Sequence, residues 1–127
     1  MKYCLILLSF FLFLQVNAQQ EKTGQQGLKF RTGYATYYAK RFEGRKTTSG
    51  KKYRAEKLTA AHRTLPFGTV VTVRNLTNGK TIDVVVNDRG PFTRKYIIDV
   101  SERAAKILGI YGKGHSKVEI SYDTTGV

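Results

Sequence analysis

Two runs of alternating apolar and polar residues, joined by a six-residue turn, constrain this chain more than any other feature. Thr69 to Arg74 sets Val71 and Val73 on one face and Val70, Thr72 and Arg74 on the other. That period of two is the pattern of a half-buried strand. Asn75 to Lys80 follows, and Asn78-Gly79 within it is a strong hairpin signal, because Asn and Gly tolerate the positive backbone angles that tight turns need. Thr81 to Val86 reads as the return strand. It runs directly into Asn87-Asp88-Arg89-Gly90-Pro91, where Gly90 frees the backbone and Pro91 removes a donor, so the ladder stops. Asp88 is thereby expected at a strand end or loop mouth, where side chains reach ligands. Taken alone, the same residues fit a turn aspartate that caps its own backbone.

The remaining elements are short and mostly extended. Lys29 to Ala39 is rich in Tyr, Phe and Thr and reads as a strand, with Tyr34, Thr36 and Tyr38 on one face and Ala35 and Tyr37 on the other. Tyr37 and Tyr38 are candidates to meet a sugar ring, and equally candidates for packing. Lys40 to Arg54 shows no period and reads as a hydroxyl-rich loop, Thr47-Thr48-Ser49-Gly50 at its centre, held by side-chain to backbone bonds. Ala55 to Arg63 is expected to hold one helical turn, and Leu65-Pro66-Phe67-Gly68 a chain reversal. Tyr96 to Val100 is a short strand, Ser101 caps an amphipathic helix ended by Gly109, and Ser116 to Tyr122 is a last strand with Val118 and Ile120 inward. The sum is a small, mostly β barrel with one or two short helices.

The flanks are different in kind. Lys2, the apolar run from Tyr3 to Val16 and the small Ala18 before polar sequence describe a signal peptide over residues 1–18, cleaved near Ala18. The apolar run is shorter than the ~20 residues that span a bilayer. Residues 19–27 read as a flexible segment, residues 28–122 as the domain and residues 123–127 as a frayed tail. Cys4, the one cysteine, lies in the leader and is not set as a lipobox cysteine, so the exported chain would have neither a disulfide nor a cysteine-based metal site. With 22 basic against 9 acidic residues, the formal charge is +13. In an exported protein that field favours anionic wall polymers or membrane surfaces; no nucleic-acid recognition motif is present.

Several strings are more specific than pattern. Gly33-Tyr34-Ala35-Thr36-Tyr37-Tyr38, Ala60-Ala61-His62-Arg63-Thr64-Leu65-Pro66-Phe67-Gly68, Asn87-Asp88-Arg89-Gly90-Pro91-Phe92 and Ile97-Ile98-Asp99-Val100-Ser101 together resemble the rare lipoprotein A family of septal-ring endolytic peptidoglycan transglycosylases. The resemblance implies a six-stranded double-psi β-barrel, the barrel also used by expansins. It implies cleavage of glycan strands, preferably stem-free ones, to leave 1,6-anhydromuramic acid ends, without metal or other cofactor. With the leader, an exported monomer of the periplasm or cell envelope is expected, with glycan strands as its substrate and septal or division-site proteins as candidate partners. The family's catalytic Asp falls on Asp88 and its functional His on His62, whose other reading, the one spacing alone favours, is a tie between the Ala61–Arg63 turn and the barrel. Its Glu, which follows the Thr-rich Ser-Gly string, falls on Lys51, a reversal of charge. Thr48, Ser49, Asn87 and Arg89, with Tyr37 and Tyr38, are expected as substrate contacts, and the expansin comparison adds Asp99, whose other reading is a cap for the following helix. A non-catalytic, expansin-like glycan-binding module is the alternative function.

The chemistry sets a requirement on Asp88. To protonate a glycosidic oxygen it must hold a proton near neutral pH, which calls for partial burial. An Arg89 guanidinium paired with it would oppose that, so Arg89 is expected to point elsewhere, toward a substrate carboxylate. Lys51, Lys52 and Arg54 are expected along a groove, facing the carboxylates of muramic acid, or else as a solvated run.

Overall fold

The computed structural model describes residues 27–125. The expected leader and most of the expected linker, residues 1–26, lie outside the described residues, as do residues 126–127. Residues 29–122 form one compact unit. Gly27, Leu28 and the stretch from Asp123 belong to a second, small one, in which the Thr124 N–H and hydroxyl both donate to the Gly27 carbonyl, at 2.8 and 3.0 Å.

Six strands make the barrel: β1 (Leu28–Tyr37), β2 (Thr59–Ala61), β3 (Val70–Asn75), β4 (Thr81–Asp88), β5 (Tyr96–Val100) and β6 (Ser116–Asp123), closed in the order β1-β5-β2-β4-β3-β6. The six-stranded, mostly β expectation is met. β3 and β4 pair antiparallel through Val71↔Val84 and Val73↔Ile82, as the alternation dictates. Val71, Val73, Val84 and Val86 are fully buried, while Val70 and Val85 on the other face are exposed. Ile98, Val100, Val118 and Ile120 complete a core of β-branched side chains, which suit a pleated, tightly curved interior.

The connecting turn keeps more than Asn78-Gly79. Asn75 is buried, accepts from Thr77 N–H (3.0 Å) and Ser116 hydroxyl (3.1 Å), and donates to the Leu108 carbonyl (2.9 Å); Asn78 donates to the same carbonyl (3.0 Å). That carbonyl is one of the unpaired acceptors at the end of helix α1 (Glu102–Leu108), so the hairpin turn caps the helix. Gly109 ends α1 at φ 76°, and a Cβ there would lie 2.8 Å from Asn78 Nδ2, so both conformation and space require glycine. Ser101 caps the other end, its hydroxyl accepting from Ala104 N–H.

Two expectations are corrected. The helical turn expected within 55–63 is confined to a bend at Arg54–Lys57, closed by Lys57 N–H on the Arg54 carbonyl (3.1 Å). Thr59–Ala61 is a strand, because it is held on both sides: parallel to β4 and antiparallel to β5. Three residues give no period, and Ala carries no strand preference, so partners rather than propensity set this element. The loop after β1 opens with a 3-10 turn (Lys40–Phe42) and contains a Lys46–Lys52 bridge.

The pairings place the site. β1 and β5 run parallel with Thr36 opposite Asp99. β5 and β2 run antiparallel with Ala61 opposite Asp99, and β2 and β4 run parallel with Ala61 opposite Asp88. A row Asp88–Ala61–Asp99–Thr36 therefore crosses four neighbouring strands. Register breaks at Ala60/Ala61 and Tyr34/Ala35 set its phase; such bulges re-aim side chains.

Candidate active site

The row opens into a cleft of about 740 Å³ whose lining includes Thr36, Tyr38, Thr48, Ala61, Asp88 and Asp99. Asp88 and Asp99 lie two strand spacings apart, roughly 10 Å between backbones, with Ala61 between them. That small side chain leaves the space open.

Asp88 is surrounded by donors. Tyr38 hydroxyl donates to Oδ2 at 2.5 Å. Oδ1 accepts from Thr48 N–H (2.8 Å), Thr48 hydroxyl (2.8 Å) and Arg89 N–H (2.9 Å). Burial pushes the carboxyl up, but these four bonds outweigh it and hold Asp88 below the usual carboxylate range. The proton expected on Asp88 near neutral pH is therefore not there: the side chain is an ionised carboxylate. Arg89 does point elsewhere, as required, yet its guanidinium donates to the carbonyls of His62 (3.2 Å) and Leu65 (2.7 Å) and lies 4.1 Å over the Phe67 ring. It lines the cleft while tying the 62–67 turn to β4.

Asp99 is the opposite case. Among the described residues its one side-chain partner is the Thr36 hydroxyl, which donates to Oδ1. Burial, then the charge of Asp88, raise its pKa to about 6 against the lowering effect of Arg63. Two carboxyl groups in one cleft, pushed apart in this way, form an acid and an anion. Asp99 does not cap α1; Ser101 does.

The Asp88 side of the cleft is stiffened from behind. Tyr38 stacks on buried Tyr53, centroids 4.3 Å apart and 11° from coplanar, and Tyr53 hydroxyl in turn accepts from Glu102 N–H (3.2 Å). Burial and then the Asp88 contact raise the Tyr38 pKa, so it stays a donor. Tyr37 lines the cleft too, and its hydroxyl accepts from Gly112 N–H (2.9 Å).

Of the residues singled out in the sequence, Tyr37, Tyr38, Thr48, Asp88, Arg89 and Asp99 come together in this cleft. His62, Ser49 and Asn87 are not among its lining. His62 Nδ1 accepts from the N–H groups of Thr64 (3.2 Å) and Leu65 (3.1 Å), its ring lies edge-on to Tyr122, and burial with Arg63 and Arg89 lowers its pKa. It is thus a neutral tie for the turn. Ser49 faces Thr47 within its own loop (2.9 Å). Asn87, one residue before Asp88 on an alternating strand, lines a separate groove together with Lys51.

Sequence reasoning missed three contributors. Thr36 was legible only as a strand residue. Arg63 donates to the carbonyls of Pro91 (2.7 Å), Thr93 (2.7 Å) and Tyr96, and so fixes the loop from Asp88 to β5. Phe92 stands 87% exposed on the cleft's rim, an aromatic face offered to solvent. The position of Phe92 after Gly-Pro was its one signal. Among the described residues no group of three His, Cys, Asp or Glu side chains is gathered as a metal site would need.

Residues 31–120 match the sequence profile of the lytic transglycolase family, whose domain is the double-psi β-barrel. The chain belongs to that family. It is 48% identical over 94 residues to the endolytic peptidoglycan transglycosylase RlpA of Rickettsia felis, covering 72% of this chain and 41% of that protein. It is 48% identical over 95 residues to the protein of the same name from Neisseria meningitidis serogroup B (75% and 40%), and 52% identical over 88 residues to the probable one of Treponema pallidum (69% and 28%). The chain thus spans less than half the length of these relatives. Among solved structures, the Streptomyces papain inhibitor superposes with a TM-score of 0.61 at 26% identity, over 75% of this chain and 94% of that one. A Clavibacter michiganensis expansin superposes with a TM-score of 0.62 at 20% identity, over 76% and 52%, a likeness of fold alone.

Proposed function

We propose that this family member is an exported lytic transglycosylase that cuts peptidoglycan glycan strands, with Asp99 as the proton donor and Asp88 as a fixed anion. The observation that carries the reading is one open cleft on this family's barrel that holds two carboxyl groups in opposed surroundings, Asp88 bonded by four donors and Asp99 buried beside the Thr36 hydroxyl, which displace their pKa values in opposite directions. The relatives' names support the substrate class.

In this mechanism the neutral Asp99 carboxyl protonates the glycosidic oxygen as the bond from muramic acid C1 to that oxygen breaks, and glucosamine leaves with a free 4-hydroxyl. Positive charge develops at C1 and its ring oxygen. Asp88, held ionised by four donors, stabilises that charge without having to reorganise. The muramic acid 6-hydroxyl then bonds to C1 and gives its proton to the Asp99 carboxylate, which closes the anhydro ring and restores the acid. No water is consumed, and one group serves as acid and then base, unlike the pair in hydrolytic glycosidases. Exposed Phe92 offers a sugar ring an apolar face at the rim. Action in the periplasm or cell envelope, as a monomer beside septal proteins, belongs to the same proposal.

Lys51 favours a second reading. The position where relatives of this kind are expected to carry Glu is a lysine outside the cleft lining, which fits a glycan-binding module that no longer cuts. Digestion of stem-free glycan strands with the wild-type chain and Asp99→Asn, followed by mass analysis of the ends, separates the two. Anhydro ends from wild type alone support the enzyme; binding without new ends supports the module.

A further inference from the structure

Beside the cleft lies a second groove of about 790 Å³, and the charges along it are of nearly one sign. Lys51 and Lys52 come from the loop after β1, Arg54 and Lys57 from the bend before β2, and Arg103 from the first turn of α1; Glu56 is the one acid in the lining. Four of these cations lie within residues 51–57 of the β1–β2 connection, and the fold adds Arg103 to them from α1. Arg54 shares its charge with Glu43 at 3.4 Å, and Arg103 donates to the Glu56 carbonyl at 3.2 Å. Lys51, Lys52 and Lys57 form no ion pair among the described residues and are exposed. The floor is Leu58, Thr59 and Val85, a mixed surface on which the faces of sugar rings can lie.

The groove and the cleft share their dividing wall. Asn87 lines the groove and Asp88 the cleft, consecutive residues on opposite faces of β4. Lys51 lines the groove and Thr48 the cleft, from one tight loop closed by Thr47 on the Lys51 carbonyl (2.6 Å). The groove and the cleft therefore lie on either side of this short stretch of chain.

We infer that this groove is a carboxylate-binding subsite, in which Lys51, Lys52 and Lys57 hold anionic groups of the glycan strand whose scissile bond sits in the cleft. The inference rests on the proposed strand-cutting function and adds to it a reason for the lysine at position 51. Every muramic acid carries a lactyl group, free as a carboxylate on stem-free strands and extended by a peptide with its own carboxylates on others. Both sources present the same chemistry to ammonium groups, which act as mobile point charges rather than shaped forks. Nearness to the cleft, with Asn87 in the groove beside Asp88 in the cleft, favours the glycan over a separate phosphate polymer of the wall.

The test measures binding of the full chain, at low and at physiological salt, to four probes: stem-free strands, peptide-bearing strands, stem-free strands with carboxylates converted to amides, and polyglycerol phosphate. The variant Lys51→Gln/Lys52→Gln/Lys57→Gln is compared with Lys80→Gln/Lys113→Gln/Lys117→Gln, which removes equal charge elsewhere on the surface. The groove variant should bind carboxylate-bearing strands about tenfold more weakly, about 1.4 kcal/mol. The control variant should stay within about twofold, and amidation should weaken wild type as much as the groove variant does. The gap should narrow as salt screens it. Loss on stem-free strands assigns the lactyl carboxylate; loss only on peptide-bearing strands assigns the stem. Equal loss in both variants, unchanged binding after amidation, or a groove effect confined to polyglycerol phosphate overturns the inference. Ends are counted in the same samples. Charge-dependent binding without new anhydro ends removes the cutting reading and leaves the groove standing, whereas cutting with charge-independent binding does the reverse.

Discussion

The two sides of the β4 end treat charge in opposite ways. On the cleft side the charges around the β4 end are committed: Asp88 to four donors, Arg89 to two carbonyls and a ring, and nearby Arg63 to three carbonyls, while Arg45 and Lys46 farther along the lining form no ion pair among the described residues. On the groove side three lysines are exposed and form no ion pair among the described residues. The first arrangement suits chemistry, because a preorganised charge need not reorganise as a transition state forms. The second suits attachment to a flexible anionic chain, where ammonium groups follow their partners. Of the two carboxyl groups in the cleft, Asp99 is the less constrained. Among the described residues it has one hydroxyl partner, and burial, followed by the Asp88 charge, raises its pKa.

The contrast is broken most forcefully at Asp99. Asp99→Asn removes the acid and should lower turnover by about 10²- to 10⁴-fold, the usual range for general acid catalysis. Strand binding should be preserved, so the fall appears in kcat rather than KM. Equal turnover by the variant would return the proton to another group.

Tyr38→Phe is the next largest effect. It removes the 2.5 Å donor from Asp88. A hydrogen bond to a charged group contributes about 1.5–3 kcal/mol, and stability measured by denaturant unfolding should fall by that order. The Asp88 pKa should also rise toward the ordinary range, so activity fails at a higher pH on the acid side. An unmoved acid limb would mean that Tyr38 supports only packing against Tyr53.

Stability against pH gives a smaller signal with a fixed sign. The Asp99 carboxyl rises from 3.8 to about 6 on folding. For an acid raised in this way, ionisation costs stability: the cost is absent below the unfolded value, grows between the two and is complete above the folded one. Asn cannot ionise, so Asp99→Asn should match wild type below about pH 4 and be more stable by about 1–2 kcal/mol above about pH 6, allowing for partial exposure. A variant less stable at all pH values would contradict this.

Lys51→Glu should be smallest. It sits in the groove, so the carboxylate it creates does not join Asp88 and Asp99. It should raise KM for glycan strands about two- to threefold, in keeping with the modest worth of an exposed charge contact, and add no turnover. A clear gain in kcat would show that position 51 reaches the cleft after all.

Much of this was legible in the residues themselves. The β3–β4 alternation, the helix with its Ser101 and Gly109 ends, and the inward Val118 and Ile120 follow from period and capping. The strings around Asp88 and Asp99 identified the family. What could not be read was set by pairing between distant strands. Ala61 faces both Asp88 and Asp99 only because β2 lies between β4 and β5, and a three-residue strand rich in alanine announces nothing. The protonation states were hidden for the same reason. That Asp88 would collect donors from Tyr38, fifty residues away, and from Thr48, while Asp99 found only Thr36, is a property of the closed barrel. Of the two readings of His62, functional by family likeness and a turn tie by spacing, the ring nitrogen's two amide contacts within its own turn fit the second.

The direct measurement is a carboxyl titration of the folded chain, following the Asp88 and Asp99 side-chain carbons by NMR from acid to neutral pH. The account predicts one carbon at Asp99 titrating near 6 and one at Asp88 titrating below the ordinary aspartate value, with the Asp99 midpoint falling in Asp88→Asn as the neighbouring charge is removed. The opposite order, with Asp88 titrating near neutrality and Asp99 already ionised, would contradict it.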